Sequence, residues 1–114
     1  MKIGALASPL KKPLPETVKI FSGMGLQGVQ IGIKLEWLDY SDEKIAEIRD
    51  LCEENGLTIS AICGDIGGHA FHIESECMVR AGILCRFADI AEKLRTKVIT
   101  THIGVVPEDI RSIR

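Results

Sequence analysis

Residues 57–65 have the sequence Leu-Thr-Ile-Ser-Ala-Ile-Cys-Gly-Asp. Apolar residues dominate this run, with Asn55-Gly56 before it and Gly64 near its end, and such a pattern is typical of a short buried strand. Helical patterns lie on both sides of it. The stretch therefore predicts a strand at residues 57–63 within an alternating β/α chain, and it places Asp65 in the loop directly after that strand.

Three further apolar runs, at residues 3–6, 29–33 and 97–102, repeat the strand pattern. In the second run Gln30 and Gly32 alternate with branched apolar residues. Successive side chains of a strand point to opposite faces, so this run has one apolar and one polar face. All three runs are short and rich in isoleucine or valine, as in buried parallel strands.

Helical periodicity separates the strands. After a proline-rich entry at residues 13–15, Leu14, Val18 and Phe21 recur at i, i+4 and i+7, and Gly25 stands where a left-handed helix cap is needed. The pattern predicts a first helix that stops near Gly25.

A second helix is predicted between Ser41, as the capping residue, and Asn55-Gly56. A third is expected from about residue 73 to residue 94, and Pro107 favours the first turn of a fourth. The third helix is predicted to carry its apolar stripe on Ile73, Cys77, Ala81, Leu84, Ala88 and Ala91.

The order β-α-β-α-β-α-β in a single domain, residues 1–114, predicts a parallel α/β sheet. Two architectures fit: an open doubly wound sheet, or strands one to four of a (β/α)₈ barrel. Residues 7–12, after the first strand, match neither glycine-rich phosphate-binding loop that is common in the open sheets. A whole barrel needs about 250 residues, so this chain is expected to supply a partial barrel, its first half.

Composition limits the functional classes. The chain is 46% hydrophobic and 26% charged, with a net charge of -2, which suits a folded protein and gives no basic footprint for nucleic acid. No apolar run is long enough for a membrane span or a signal peptide. The four cysteines form no C-x-x-C pair and are expected to be reduced thiols. We therefore expect a cytoplasmic protein with no membrane or nucleic-acid partner.

Three phrases carry a resemblance to a known family. They are residues 28–31 (GVQI), 57–65 (LTISAICGD) and 97–104 (KVITTHIG), and together they resemble the first half of the xylose isomerase-like TIM barrels. This family includes sugar-phosphate isomerases, ketose epimerases, inosose-processing enzymes and, more distantly, type IV apurinic endonucleases. The resemblance implies a (β/α)₈ barrel and a reaction that moves a proton at the carbon next to a sugar carbonyl.

The resemblance also implies a divalent metal (Mn, Zn, Mg or Co) in the barrel mouth. His69 and His102 match positions where family members place metal-binding or substrate-binding histidines, and Asp65 and Trp37 join them as candidates for binding a sugar or sugar phosphate. No catalytic residue is assigned, because most of the family's carboxylates come from strands five to eight. Gln30 stands where many relatives carry Glu, and an amide cannot act as a base.

Each candidate also has a purely structural interpretation. His69 can be a solvent-facing residue of a glycine-rich loop, and His102 can be packed at the end of its strand. Asp65 can cap its loop, and Trp37 with Tyr40 can pack in the core.

Three functions compete on the sequence: the N-terminal half of a metal-dependent isomerase or epimerase, a non-catalytic barrel fragment or binding module, and an apurinic endonuclease. The third is disfavoured because no basic surface is visible. An isolated half barrel exposes strand edges, expected at residues 31–33 and 98–99, and we predict that a homodimer or larger assembly covers them. Two copies that pair edge to edge would give eight strands.

Overall fold

The computed structural model describes residues 1–68 and 71–104. Strands and helices alternate in the predicted order. The strands are β1 (Gly4–Leu6), β2 (Gly28–Gly32), β3 (Thr58–Cys63) and β4 (Ile99–Thr100), and the α-helices are α1 (Leu14–Gly23), α2 (Asp42–Glu54) and α3 (Glu74–Lys93). Short 3₁₀ turns at Ser8–Leu10 and Leu35–Asp39 follow β1 and β2. The predicted helix at Pro107 lies outside the described residues.

The sheet is fully parallel, and its spatial order β1-β2-β3-β4 is the order of the chain. A doubly wound sheet reverses its strand order part-way, and these four strands contain no such reversal. Right-handed crossovers that all step in one direction place every helix on the same face of the sheet. The protein is therefore an α/β fold with one helix-covered face, an arrangement compatible with half of a barrel.

One predicted edge of the sheet is wrong. Residues 31–33 were expected at an edge, but β2 pairs with β1 on one side and with β3 on the other. Ile31 and Ile33 are accordingly almost fully buried. The first strand of the chain is the edge because each crossover moves outward by one strand, so β1 and β4 are the two edges among the described strands.

The core lies between the helix layer and the covered face of the sheet. Val29 and Ile62 project from the sheet, Phe21 from α1 and Ile45 from α2, and all are buried. Burial of one such side chain contributes about 1.5–3 kcal/mol to folding. The alternation predicted for β2 is confirmed, because Val29 is buried while Gly32 is exposed.

The buried face of α3 differs from the predicted stripe. Phe87, Ile90 and Ala91 are buried, whereas Ala88 and Ala81 are exposed. The stabilisation gained on burial grows with the apolar area removed from water, so phenylalanine and isoleucine decide which side of the helix faces the sheet. Ala91 of the predicted stripe is buried as expected, but its other alanines, Ala81 and Ala88, offered too little area to do so.

Local signals set the helix ends as expected. Ser41 Oγ accepts a hydrogen bond from the Lys44 backbone N–H at 3.2 Å and caps α2. Gly25 and Gly56, after α1 and α2, have φ values of 76° and 74°, which glycine adopts without steric cost. Among the described residues, no helix is both long and apolar enough to cross a membrane.

Candidate functional site

The carboxyl ends of parallel strands lie at one edge of the sheet, here called the carboxyl edge. At this edge the loop after β3 carries Asp65 and the segment after β4 carries His102. Asp65 Oδ2 and His102 Nδ1 are 2.8 Å apart, although 37 positions separate the residues. The topology thus unites two of the four candidates that the sequence indicated.

The Asp65 carboxylate has a second contact within its own loop. Its Oδ1 accepts a hydrogen bond from the backbone N–H of Gly67 at 3.0 Å, which closes a three-residue turn at residues 65–67. Gly67 and Gly68 both have positive φ, at 73° and 71°, so the turn uses two consecutive glycines in the left-handed region. One carboxylate oxygen therefore holds the loop while the other faces His102.

The pair has a defined chemistry. An ionised carboxylate only accepts hydrogen bonds, so this contact is a hydrogen bond in the tautomer whose proton is on His102 Nδ1, with Nδ1–H donating to Asp65. In the neutral ring this leaves the lone pair on Nε2, the atom that can take up a proton or bind a metal. The His102 side chain is 66% exposed and that of Asp65 is 30% exposed, so the imidazole is accessible while the carboxylate is partly sheltered.

His69, the other metal candidate, lies outside the described residues, so its role stays a prediction. Within residues 1–68 and 71–104, no three or more histidine, cysteine, aspartate or glutamate side chains are grouped in a way that could hold a metal ion. All four cysteines fall in these ranges, and each is a free thiol.

A shallow cleft of about 420 Å³ lies beside the pair at the carboxyl edge. Its lining includes Asp65 and Ile66 from the loop after β3, and Lys34 and Glu36 from the segment after β2. Lys34 and Glu36 were not among the candidate residues predicted from the sequence. Their position directly after a strand was the available signal, since polar groups at strand carboxyl ends collect at the same edge.

Trp37 occupies a different place from Asp65. It is 8% exposed, belongs to the core cluster, and its ring centroid lies 5.2 Å from that of Tyr40. Its remaining accessible surface lines a small cleft with Ser8, Lys12 and other residues, separate from the cleft at Asp65. Packing accounts for most of its surface, and contact with a substrate stays a prediction.

The face of the sheet opposite the helices is polar at its centre. Gln30 Nε2 donates a hydrogen bond to Thr100 Oγ1 at 3.2 Å, and Thr58 and Ser60 are exposed on β3. Leu6, which pairs in register with Gln30, is 53% exposed. The amide of Gln30 therefore acts as a hydrogen-bond donor on this face of the sheet.

No model of a known protein family matches this sequence. A comparison with curated proteins also finds no match.

Proposed function

We propose that this chain forms the first half of a (β/α)₈ barrel and contributes the Asp65–His102 pair to the mouth of a sugar or sugar-phosphate isomerase or epimerase. The observation that carries the proposal is the 2.8 Å contact between these residues at the carboxyl edge of a sequentially ordered parallel sheet. In barrels of this kind the active site lies at that edge.

The pair suits proton transfer at a carbon next to a carbonyl. In this proposal His102 Nε2 receives or returns the proton, and Asp65 stabilises the imidazolium through Nδ1. Lys34 and Glu36 are among the residues that line the adjacent cleft. An ammonium group suits a phosphate or carbonyl oxygen, and a carboxylate suits sugar hydroxyls. These groups together fit a small polar substrate that carries either an anionic group or hydroxyl groups.

The residues of this half of the site supply part of the ligand set that a divalent metal needs. Metal-binding histidines usually donate their second ring N–H to a carboxylate, which is the arrangement of His102 with Asp65. The Nε2 lone pair can hold either a proton or an ion, so metal binding by His102 and proton transfer at Nε2 are alternatives within this proposal. In the metal-bound form His102 would be one ligand and His69 a second, whereas zinc and manganese sites usually need three or four protein ligands. When bound, such an ion polarises the substrate oxygens. The remaining ligands are not assigned, because a second copy of the chain would repeat these two histidines.

A binding module without catalysis is the second candidate. The hydrogen bond between Gln30 and Thr100 favours it, because a neutral amide stands where many relatives carry a glutamate that can act as a base. This alternative keeps the substrate class and removes the proton transfer.

A second copy of the chain is the proposed partner. Three apolar side chains at or next to the edge strands β1 and β4 are exposed: Ile3 by 56%, Leu6 by 53% and Val98 by 49%. Two copies that pair β1 with β4 of the other copy give eight parallel strands and remove all four edges. In the proposal this dimer works in the cytoplasm.

Manganese titration by calorimetry tests the metal part of the proposal. Asp65→Asn and His102→Ala are compared with His72→Ala, an exposed histidine outside the site. We expect micromolar binding that weakens about 10–100-fold in Asp65→Asn and more in His102→Ala, with no change in His72→Ala. Equal binding by all three variants would remove the metal from the proposal.

Proton NMR in heavy water tests the reaction. Ketoses and their phosphates are incubated with the protein, and exchange of the proton next to the carbonyl is followed. The isomerase proposal expects exchange that His102→Ala abolishes and His72→Ala preserves. Saturable binding of a sugar without any exchange would instead support the binding module.

A further inference from the structure

Arg80 on α3 reaches the loop that carries Asp65. Its Nη1 donates a hydrogen bond to the carbonyl oxygen of Gly67 at 2.7 Å. Its Nε and Nη2 donate to Glu76 Oε2, one helical turn earlier, at 3.2 and 3.1 Å. The guanidinium thus connects the middle of a helix to the backbone of a functional loop.

The Arg80 side chain is held from several sides. It is only 12% exposed, and its guanidinium lies 5.7 Å from the centroid of the Phe71 ring. A long helical side chain normally extends into water, because ordering it costs rotamer entropy. The two hydrogen bonds to Glu76 Oε2 orient the planar guanidinium, and Nη1 is left to donate to Gly67.

Gly67 links Arg80 to the site through the two polar groups of its backbone. Its carbonyl accepts from Arg80, and its N–H donates to Asp65 Oδ1 at 3.0 Å. Asp65 Oδ2 in turn contacts His102 Nδ1 at 2.8 Å. Three consecutive hydrogen bonds therefore connect a charged side chain on α3 to the imidazole after β4.

We infer that Arg80 is a positioning residue for the Asp65–His102 pair: it fixes the backbone of Gly67, the turn fixes the Asp65 carboxylate, and the carboxylate selects the Nδ1–H form of the His102 ring. The inference rests on the proposed function in taking this pair as the functional one. It adds a residue that the resemblance did not indicate, on a helix and not at a strand end.

The packing around Gly68 supports the same role. A Cβ atom on Gly68 would lie 2.5 Å from Arg80 Nη2, and the φ of Gly68 is 71°. The space beside this glycine is therefore filled by the guanidinium. Gly68→Ala would displace Arg80 from Gly67 without removing its charge, and this gives a second way to break the connection.

The ¹⁵N chemical shifts of the His102 ring, measured at one alkaline pH on the full chain, test the inference without metal or substrate. We expect the wild type to show the Nδ1–H form. Arg80→Met, Gly68→Ala and Asp65→Asn should all move the signals toward the Nε2–H form that free histidine prefers. Arg80→Lys, which keeps a single donor for Gly67, should restore part of the wild-type signal.

Arg86→Met, an exposed arginine of the same helix, is the matched control and should leave the signals unchanged. Circular dichroism establishes that each variant is folded. Wild-type signals in a folded Arg80→Met and in Gly68→Ala, together with a shift in Asp65→Asn, would overturn the positioning role. A shift in Arg80→Met in a protein that binds neither manganese nor sugar would overturn the proposed function and leave the role of Arg80 intact.

Discussion

Gln30 on β2 and Thr100 on β4 are joined by a hydrogen bond of 3.2 Å, although β3 lies between their strands. Neighbouring strands are about 4.8 Å apart, so the two backbones are separated by about two such spacings. The side chain that pairs in register with Gln30 on β3 is the small Ala61, which leaves room for the amide to pass. The contact links β2 to β4 across β3 on the face of the sheet opposite the helices.

A double-mutant cycle measures this contact. Gln30→Ala and Thr100→Val should each cost little, and their coupling in urea unfolding should be about 0.5–1 kcal/mol, because the bond is neutral and partly exposed. The cycle of Gln30→Ala with Thr58→Val, at the start of β3, should be additive. A coupling free energy near zero between Gln30 and Thr100 would show that the contact does not stabilise the folded sheet.

Phe87 packs closely against Gly64, the residue directly before Asp65. Phe87 is fully buried, and a Cβ atom on Gly64 would lie 2.8 Å from Phe87 Cδ2. Phe87→Ala should destabilise the protein by about 3–5 kcal/mol, a large part of the stability of a small domain. Gly64→Ala should cost about 1–3 kcal/mol through overpacking.

The pairing of these two residues is tested by combining Gly64→Ala with Phe87→Leu, which removes the clashing edge of the ring. The double variant should lose less stability than the sum of the single variants. Met78→Ala, at a side chain 80% exposed on the same helix, should change the free energy of unfolding by less than about 0.5 kcal/mol. Strict additivity would contradict the clash.

Cys52 and Cys85 should differ in reactivity. Burial, and to a smaller extent the charge of Glu53, raises the pKa of the Cys52 thiol from 9.0 to about 11. The thiolate is the reactive form, so a thiol reagent should label the exposed Cys85 rapidly and Cys52 only after unfolding. Rapid labelling of Cys52 in the native protein, detected by mass spectrometry, would contradict its burial.

The same pKa shift gives a pH dependence with a definite sign. The folded state holds the Cys52 proton more tightly than the unfolded state, so its contribution to stability is complete below pH 9.0 and is lost as the pH rises toward about 11. Urea unfolding at both ends of this range, for the wild type and for Cys52→Ala, measures the difference. The alanine variant should lack this part of the alkaline loss.

The fold was largely predictable because its signals are local. Apolar runs gave the four strands, and Ser41, Gly25 and Gly56 gave helix ends that the structure confirms. The edge expected at residues 31–33 failed because strand neighbours depend on the path of the whole chain. Likewise, the buried side of α3 depends on where Phe87 meets the sheet and not on the spacing of its apolar residues alone.

The site was predictable only as separate residues. The family resemblance selected Asp65 and His102 as candidates, but no sequence pattern states that their atoms meet. Arg80 gave no signal, because an arginine four residues after Glu76 on a helix looks like an ordinary surface ion pair. Its contact with Gly67 arises from the path of a loop between distant elements, which single-sequence patterns do not encode.

Leu6 provides the test of the proposed homodimer. It lies on edge strand β1, on the face opposite the helices, and is 53% exposed in the single chain. In an eight-stranded pair of chains this face becomes the barrel interior, so Leu6→Asp would bury an unpaired carboxylate there and oppose association. In the monomer the same substitution places the carboxylate in water and should change the free energy of unfolding by less than about 0.5 kcal/mol.

Sedimentation velocity at micromolar concentration should therefore give a dimer for the wild type and a folded monomer for Leu6→Asp. Met24→Asp, at an exposed residue just after α1, is the matched control and should stay dimeric. A wild type that sediments as a monomer over this range would exclude the homodimer and leave both the edges and the open face of the sheet to a different partner.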